Sequence, residues 1–409
     1  MSAPRHTAAF VGFGQSRVFR AAEVPLGELA LEATRAALED AGLRLDQVDG
    51  VVCTPDAPFS RGQSADGVEF VSSRHLAGAL GIEPTWIEDV SGTIANSTLA
   101  AIRAVESGAC SYALLFRALH NPASGSYGHT AESRSGEIEI SGTDVHQVIE
   151  QFRASYGLYP PADGAALPWS QYQARYGRGS REDMAPLVVQ ARNNGLAYED
   201  GYWARYKPFP LTTEDYLLAR MVSRPVSIYD CDLPVQGAGA FVITTAERAA
   251  DLVDRAAHVH GIADGVPARG KVSVDETLEE QMADNSDIGR RLWADAGCGP
   301  GDVQVADLYD GFSIQTVLWM EALGLCEEGA AFDLIRDGHT APTGKLPINP
   351  AGGNLGGGRL HGINHLMDAV QQVTGRAGKR QIDGVDRAVA AVGLGWAAAG
   401  FVLGAGPAE

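Results

Sequence analysis

One segment of this 409-residue chain places two proton-transfer side chains at the end of a predicted strand. Residues 302–308 are expected to form the strand, and Tyr309 and Asp310 follow it, just before a predicted helix at 311–324. Ligands in α/β proteins bind at the carboxyl ends of strands. A phenol there can act as a general acid or base if the site shifts its pKa from about 10. In the alternative interpretation Tyr309 only packs at the helix start and Asp310 complements the helix dipole.

A glycine-rich loop supplies a second group of candidates. Six glycines occur among the fourteen residues of 349–362, directly before another predicted helix. Glycine lets backbone N–H groups approach a ligand, or another chain segment, very closely. We therefore predict substrate-binding positions at Gly357, Gly358 and Arg359, and a catalytic role for His361. Tight packing of the loop between sheet and helix is the competing interpretation.

A third segment, residues 91–98, lies between a predicted strand and a predicted helix. A side chain there would face the positive end of the helix, but the segment has no cysteine and no Gly-x-Ser-x-Gly motif. We therefore expect no covalent nucleophile and assign Ser97 to substrate binding. His120 and His129 fall in the polar stretch that follows; His120 is predicted to reach the pocket, and their spacing fits no metal site.

The predicted elements alternate between strands and helices along the chain, which is typical of an α/β protein with a mostly parallel sheet. The same order of elements occurs twice. We predict an N-terminal half at 1–255, with an irregular loop insertion at about 119–215, and a C-terminal half at 256–409. The repeat is one of pattern and not of residue identity.

Composition excludes several classes of function. The formal net charge is −19, and no cluster of Lys and Arg offsets it, so nucleic-acid binding is not expected. No stretch reaches 18 apolar residues and the first residues do not read as a signal peptide, so no membrane span is predicted. The five cysteines are scattered and form no CxxC pair, which favours a reduced, cytoplasmic protein.

Two long stretches resemble the thiolase superfamily. They are residues 192–252, which begin RNNGLAY and contain SIYDCDLPVQGAGAFVITT, and residues 308–378, which contain LYDGFSIQ and LPINPAGGNLGGGRLHGINHLMDAV. The resemblance is to the lipid-transfer-protein branch, related to the thiolase part of sterol carrier protein X. It implies a five-layered αβαβα fold of two similar halves, a homodimer and an acyl-CoA ligand.

Four departures from the thiolase pattern concern the chemistry. Degradative thiolases need two cysteines, an Asn-Glu-Ala-Phe motif and a Gly-His-Pro motif. The two cysteine positions fall here in Ala95-Asn96-Ser97 and in Gly393-Leu394-Gly395-Trp396, and neither segment has a cysteine. Tyr309-Asp310-Gly311-Phe312 stands in place of the first motif, and Gly358-Arg359-Leu360 in place of the second. Without a thiolate no acyl-enzyme can form, so thiolytic cleavage is not expected.

The tyrosine in place of that asparagine resembles the steroid side-chain aldolases of the same branch. The resemblance implies retro-aldol cleavage of a β-hydroxyacyl-CoA, with no cofactor other than the coenzyme A of the substrate. Tyr309 would be the base on the β-hydroxyl, and His361 the acid or the donor to the thioester oxygen, with Asp310 completing the catalytic set. A second tyrosine is often used near the loop, but Gly356–Gly358 offers none.

The resemblance also implies a small OB-fold or zinc-ribbon partner, which would form a heterotetramer with the dimer. Two alternatives stay open at this point. One is a non-catalytic acyl-CoA-binding or lipid-binding subunit or scaffold, and the other is a thiolase-type acyltransferase. The sequence does not identify the acyl group.

Overall fold

The fold was taken from a computed structural model of the chain. It describes residues 6–20, 24–55, 65–120, 156, 158, 162–265 and 277–407. None of the helices in these ranges is long and apolar enough to cross a membrane.

The described residues form eleven strands, of which nine make one mixed sheet. The strands are β1 (Ala8–Gln15), β2 (Gly50–Cys53), β3 (Trp86–Asp89), β4 (Ala113–Leu119), β5 (Met221–Ser223), β6 (Val226–Ser227), β7 (Gly237–Thr245), β8 (Ala257–Asp264), β9 (Val305–Leu308), β10 (Arg387–Val392) and β11 (Ala399–Gly404). The order in the large sheet is β3-β2-β4-β7-β1-β8-β11-β10-β9, and β5 pairs with β6 separately. Strand β11 is buried along its whole length, in agreement with its continuous apolar sequence.

The large sheet consists of two similar halves. In the first half β1 pairs antiparallel with β7, β7 antiparallel with β4, and β4 parallel with β2. In the second half β8, β11, β10 and β9 repeat the same pairings. Ile348 pairs in parallel with Ala306 of β9 and occupies the position that β3 holds in the first half. The two halves join where β1 pairs with β8 through two residue pairs.

Helices lie on both sides of the sheet and between its halves. They are α1 (Leu26–Asp40), α2 (Ser73–Leu80), α3 (Ile94–Ser107), α4 (Ala162–Tyr176), α5 (Arg181–Leu196), α6 (Tyr202–Tyr206), α7 (Thr213–Leu217), α8 (Ala246–Ala250), α9 (Leu278–Ala296), α10 (Ser313–Ala322), α11 (Ala331–Arg336), α12 (Gly353–Gly357) and α13 (Ile363–Thr374). Helix α3 contacts strands of both halves, and every residue of α13 is buried. These two helices form the middle layer, whereas α1 and α9 cover outer faces.

The predicted repeat of α/β order is therefore present, but the prediction of a mostly parallel sheet was wrong for its centre. The middle strands run antiparallel, since β7 pairs in this way with β4 and β1, and β11 with β10 and β8. The segment expected to be an irregular insertion at about 119–215 also differs. From Ala162 onward it forms packed helices, with Trp169 and Tyr172 fully buried.

A buried histidine near the chain start connects the two halves. The Nδ1 of His6 lies 3.1 Å from a carboxylate oxygen of Glu106 on α3, and its Nε2 lies 2.7 Å from Asp295 on α9. Hydrogen bonding to Glu106 raises the pKa of His6, against the opposing effect of burial. Burial raises the pKa of Glu106, but hydrogen bonds from His6 and Thr7 lower it by more.

We expect His6→Gln to lower the free energy of unfolding by about 1–3 kcal/mol near pH 6. The raised pKa of His6 gives stability that is complete below its usual 6.5 and is lost as the pH rises through the folded value. The lowered pKa of Glu106 gives stability that is lost as the pH falls below its usual 4.5. Urea unfolding from pH 4 to 9 should therefore show the largest difference between about pH 5 and 6.5.

The control is His75→Gln, because His75 is half-exposed and lies 3.9 Å from Asp66. This change should cost less than about 0.5 kcal/mol. A loss in His6→Gln that is independent of pH would contradict the ionic role of the cluster.

Candidate active site

Tyr309 lies directly after β9, with its ring buried below the end of the strand. Its backbone N–H donates to the carbonyl of Ala391 on β10 over 2.9 Å, so the neighbouring strand fixes its position. The ring meets His361 edge-on at a centroid distance of 6.3 Å, and His365 at 5.8 Å with a tilt of 42°. The structure thus brings the predicted base and the predicted second residue together, and adds a second imidazole.

The surroundings of Tyr309 keep it protonated. Burial raises the pKa of the phenol, and the negative charge of Asp232 raises it further. Arg359 and Arg117 act in the opposite direction but do not cancel the burial. Tyr309 is therefore a neutral phenol at neutral pH, which can donate a proton but can accept one only by passing on its own.

His361 is a neutral imidazole. Burial lowers the pKa of His361 well below its usual value, and the positive charges of Arg117 and Arg359 lower it further. Its backbone is left-handed, with φ of +54°, and its Nδ1 has no hydrogen-bond partner among the described residues. A neutral imidazole in this place can donate a hydrogen bond to a ligand. The role of His361 as an acid or a hydrogen-bond donor stays a prediction.

Asp310 holds the glycine-rich loop in place. One oxygen of its buried carboxylate accepts the N–H of Asn354 at 2.7 Å and Nε2 of His365 at 2.8 Å. The other oxygen accepts the N–H of Leu355 at 3.2 Å. The carboxylate is thus shared between helix α12 and the His365 imidazole, rather than placed at the dipole of its own helix.

Close packing of backbone on backbone explains several glycines of the loop. A Cβ at Gly356 would overlap the carbonyl oxygen of Ala191 on α5, and one at Gly195 would overlap the carbonyl of Gly356. A Cβ at Gly352 would lie 2.5 Å from the same Ala191 oxygen. Here the packing interpretation of the sequence applies, because α12 and α5 approach as closely as their backbones allow.

Gly357, Gly358 and Arg359 continue the loop toward Tyr309. A Cβ at Gly357 would lie 3.0 Å from the Asn364 amide nitrogen, and Gly358 has a φ of +105°. The N–H of Arg359 donates to Leu233 at 2.7 Å, in the segment that leads to β7. Of the three, Arg359 acts on the charge of Tyr309. The role of all three in substrate binding stays a prediction.

Ser97 and His120 lie on other elements. The hydroxyl of Ser97 is fully buried; it donates to the carbonyl of Ile94 at 3.2 Å and accepts from Thr54 at 3.1 Å. His120 directly follows β4, and its Nδ1 has no partner within the described ranges. Neither has a recorded contact with Tyr309 in the part of the chain that the structure describes. His129 lies outside the described residues.

Comparisons with known proteins identify the family to which this fold belongs. A family model described as Thiolase C-terminal domain-like matches residues 271–404. The chain is 30% identical to the 17-hydroxy-3-oxo-4-pregnene-20-carboxyl-CoA lyase of Mycobacterium tuberculosis, over 97% of this chain and 99% of the relative. The chain belongs to the thiolase superfamily.

Two further matches indicate which members of the superfamily this chain resembles. It is 29% identical to the steroid side-chain-cleaving aldolase of Thermomonospora curvata, over 99% of this chain and all of the relative. The solved Ltp2-ChsH2(DUF35) aldolase matches with a TM-score of 0.82 and 28% identity, over 98% of both chains. The expected thiolase fold and the expected resemblance to the steroid side-chain aldolases are thereby confirmed.

The thiolase-superfamily fold here has no reactive thiol at its site. Ile94 begins α3, and Thr93 caps this helix and donates its hydroxyl to Ala397 at 2.7 Å. Cys231 lies beside this segment, because it pairs with Phe312 through a backbone bridge. Burial raises the pKa of the Cys231 thiol well above its usual value, so it is no nucleophile.

Sequence reasoning missed three residues of this site. Arg117 and Asp232 are buried, and both act on the charge of Tyr309, while His365 contacts the Tyr309 ring. A signal existed for Arg117, because it is the single charge in the apolar strand β4. Another existed for His365, which follows His361 by one helical turn.

We expect Gly356→Ala to lower the free energy of unfolding by at least about 1–3 kcal/mol, because the new methyl group would overlap the Ala191 carbonyl. The control Gly78→Ala lies in α2, where a Cβ would meet nothing within 4 Å. That change should leave the stability unchanged or raise it by up to about 1 kcal/mol. Equal Tm values for the two variants would contradict the close approach of α12 to α5.

Proposed function

We propose that this protein is a carbon–carbon lyase that cleaves a β-hydroxyacyl-CoA by a retro-aldol reaction. The observation that carries the proposal is Tyr309, a buried neutral phenol at a strand end in ring contact with two imidazoles. The relatives named as a carboxyl-CoA lyase and a side-chain-cleaving aldolase match along nearly the whole chain, which supports the same chemistry here.

The site has the groups that this cleavage needs. Tyr309 takes the proton of the β-hydroxyl while the Cα–Cβ bond breaks, and the β-carbon leaves as a ketone or aldehyde. The electron pair of the broken bond stays on the thioester as an enolate. His361 donates a hydrogen bond to the enolate oxygen, and the positive charges of Arg117 and Arg359 favour this anion. Protonation of the α-carbon completes a shortened acyl-CoA.

Thiolase-type acyl transfer does not suit these residues. That reaction forms a covalent acyl-enzyme on a thiolate, and the helix start at Ile94 holds none. Retro-aldol cleavage needs no covalent intermediate. Loss of both thiolase cysteines is therefore compatible with activity, and coenzyme A enters only as part of the substrate.

For the substrate we propose a bulky steroid-type acyl group, because both relatives carry steroid chemistry in their names. For the assembly we propose a homodimer that binds two copies of an OB-fold partner. The match to the Ltp2-ChsH2(DUF35) aldolase over 98% of both chains supports such a partner. The five cysteines are free, which suits the cytoplasm as the compartment.

We expect Tyr309→Phe to reduce cleavage by at least about 100-fold, the usual effect of removing a general acid or base. The assay supplies 17-hydroxy-3-oxo-4-pregnene-20-carboxyl-CoA and measures the released ketone and the shortened acyl-CoA by mass spectrometry. The ring stays in place, so the melting temperature should hardly change. The control Tyr172→Phe removes a buried hydroxyl that donates to Glu321, and turnover should persist.

Two outcomes would overturn the proposal. Undiminished turnover in Tyr309→Phe would remove Tyr309 from the chemistry. Tight binding of the acyl-CoA by the native protein with its partner, but without cleavage, would instead identify a binding subunit.

We expect turnover to require the partner, or to rise at least about tenfold with it, since many two-subunit sites close only on assembly. Light scattering after mixing this chain with a small OB-fold, zinc-ribbon protein should give a mass of two copies of each. Equal turnover with and without that protein, together with no change in mass, would contradict the assembly.

A further inference from the structure

The neutral state of Tyr309 creates a requirement that the residues named so far do not meet. A phenol that is protonated at neutral pH can take the substrate's β-hydroxyl proton only if its own proton leaves at the same time. A proton acceptor must therefore lie within reach of the Tyr309 hydroxyl.

His361 is a poor choice for this acceptor. Burial and two neighbouring guanidinium groups, those of Arg117 and Arg359, lower its pKa well below the usual value. An extra proton on this ring would face two positive charges with no carboxylate hydrogen-bonded to it among the described contacts.

His365 is placed differently. It lies in the first turn of α13 with a fully buried side chain, and its ring centre is 5.8 Å from that of Tyr309. Its Nε2 lies 2.8 Å from Asp310 Oδ1, and both side chains are at least 99% buried. Asp310 Oδ1 also accepts the N–H of Asn354, and Oδ2 that of Leu355.

The hydrogen bonds define the tautomer of His365. A carboxylate accepts hydrogen bonds and donates none, so the imidazole donates from Nε2–H to Asp310. The lone pair is then on Nδ1, which has no hydrogen-bond partner within the part of the chain that the structure describes. A carboxylate-oriented imidazole with a free second nitrogen is the arrangement of a general base.

We propose that the Asp310–His365 pair is the proton acceptor that lets Tyr309 act as a base. The inference rests on the proposed lyase function and assigns a positioning role within it. A base can act through one water molecule. The rings of Tyr309 and His365 are 5.8 Å apart between centres and Nδ1 makes no direct hydrogen bond to the described residues, so one water molecule would link the phenol to the imidazole.

The protons balance over one turnover. The β-hydroxyl proton moves to Tyr309 Oη, the Tyr309 proton moves to His365 Nδ1, and the Cα–Cβ electron pair becomes the thioester enolate. Asp310 stabilises the imidazolium that results. The same proton then returns through Tyr309 to the α-carbon. One O–H bond of the substrate is lost and one C–H bond is gained, so no external acid or oxidant is needed.

Other charged groups face the same phenol. They are Asp232 from the segment before β7, Arg117 from β4, and Arg359 from the glycine-rich loop. None of these is an acceptor that the tyrosine can use in the same way. The guanidinium groups carry no lone pair for a proton. The charges of Asp232 and Asp310 both raise the pKa of the phenol, but Asp310 is hydrogen-bonded to an imidazole whose ring contacts that of Tyr309.

The test is the pH–rate profile of His365→Gln in the assembled native complex, with the same steroid acyl-CoA as substrate. The native enzyme should show a flat rate between about pH 7 and 9. In the variant only hydroxide can take the Tyr309 proton. Its rate should fall at least about 100-fold at pH 7 and rise about tenfold per pH unit.

The matched control is Gln372→Leu on the same helix. Gln372 is equally buried, and its side chain accepts from the N–H of Ile382, away from the site. This variant should lose stability but keep a flat pH profile. A flat profile in His365→Gln, with a rate that falls no further than in the control, would overturn the relay.

A second variant covers the case in which His365→Gln does not fold. Asp310→Asn keeps the shape and one oxygen acceptor, but removes the charge that stabilises the imidazolium and turns an NH2 group toward a backbone N–H of the loop. We expect a lower melting temperature, as in Gln372→Leu, and in addition a rate reduced at least about tenfold relative to that control. Unchanged kcat in Asp310→Asn would contradict the pair. Loss of cleavage in the native complex itself would instead contradict the lyase function.

Discussion

A buried carboxylate must receive hydrogen bonds from every side, and much of this site is arranged around that requirement. Asp310 lies directly after Tyr309 and is almost completely buried. It accepts two backbone N–H groups of the glycine-rich loop and one imidazole from α13. A buried anion without these donors would cost several kcal/mol. The strand end, the loop and the middle helix are therefore held in one fixed arrangement.

The charged side chains that act on Tyr309 come from both halves of the fold. Tyr309 and the loop come from the second half, whereas Arg117 is on β4 of the first half and Asp232 precedes β7. Antiparallel strands at the centre of the sheet bring these parts together across the junction. Helices α3 and α13 form the layer between them; most residues of α3 and all residues of α13 are buried.

Much of the fold could be predicted from the sequence. The spacing of apolar residues and the glycines that end helices define each element locally. The strand predicted at 302–308 and the helix predicted at 311–324 are both present, within three residues at each end. The direction of the central strands was not predicted, because it depends on where the chain re-enters the sheet after a long intervening segment. Tyr309, His361 and the loop were found as candidates because motif positions mark them. His365 was missed although it follows His361 by one helical turn. The partners of Asp310 could not be predicted, because hydrogen bonds between distant segments leave no local pattern.

The burial of Cys231 affects how sensitive the protein is to oxidants in the cell. A thiolate catalyst is vulnerable to peroxides and alkylating metabolites, since one oxidised sulfur ends its activity. Here the Cys231 sulfur, beside Phe312, is buried with a raised pKa, and Cys298 and Cys326 are only partly exposed. Chemistry that uses oxygen and nitrogen acids alone would continue under oxidative stress that inactivates a thiolate catalyst.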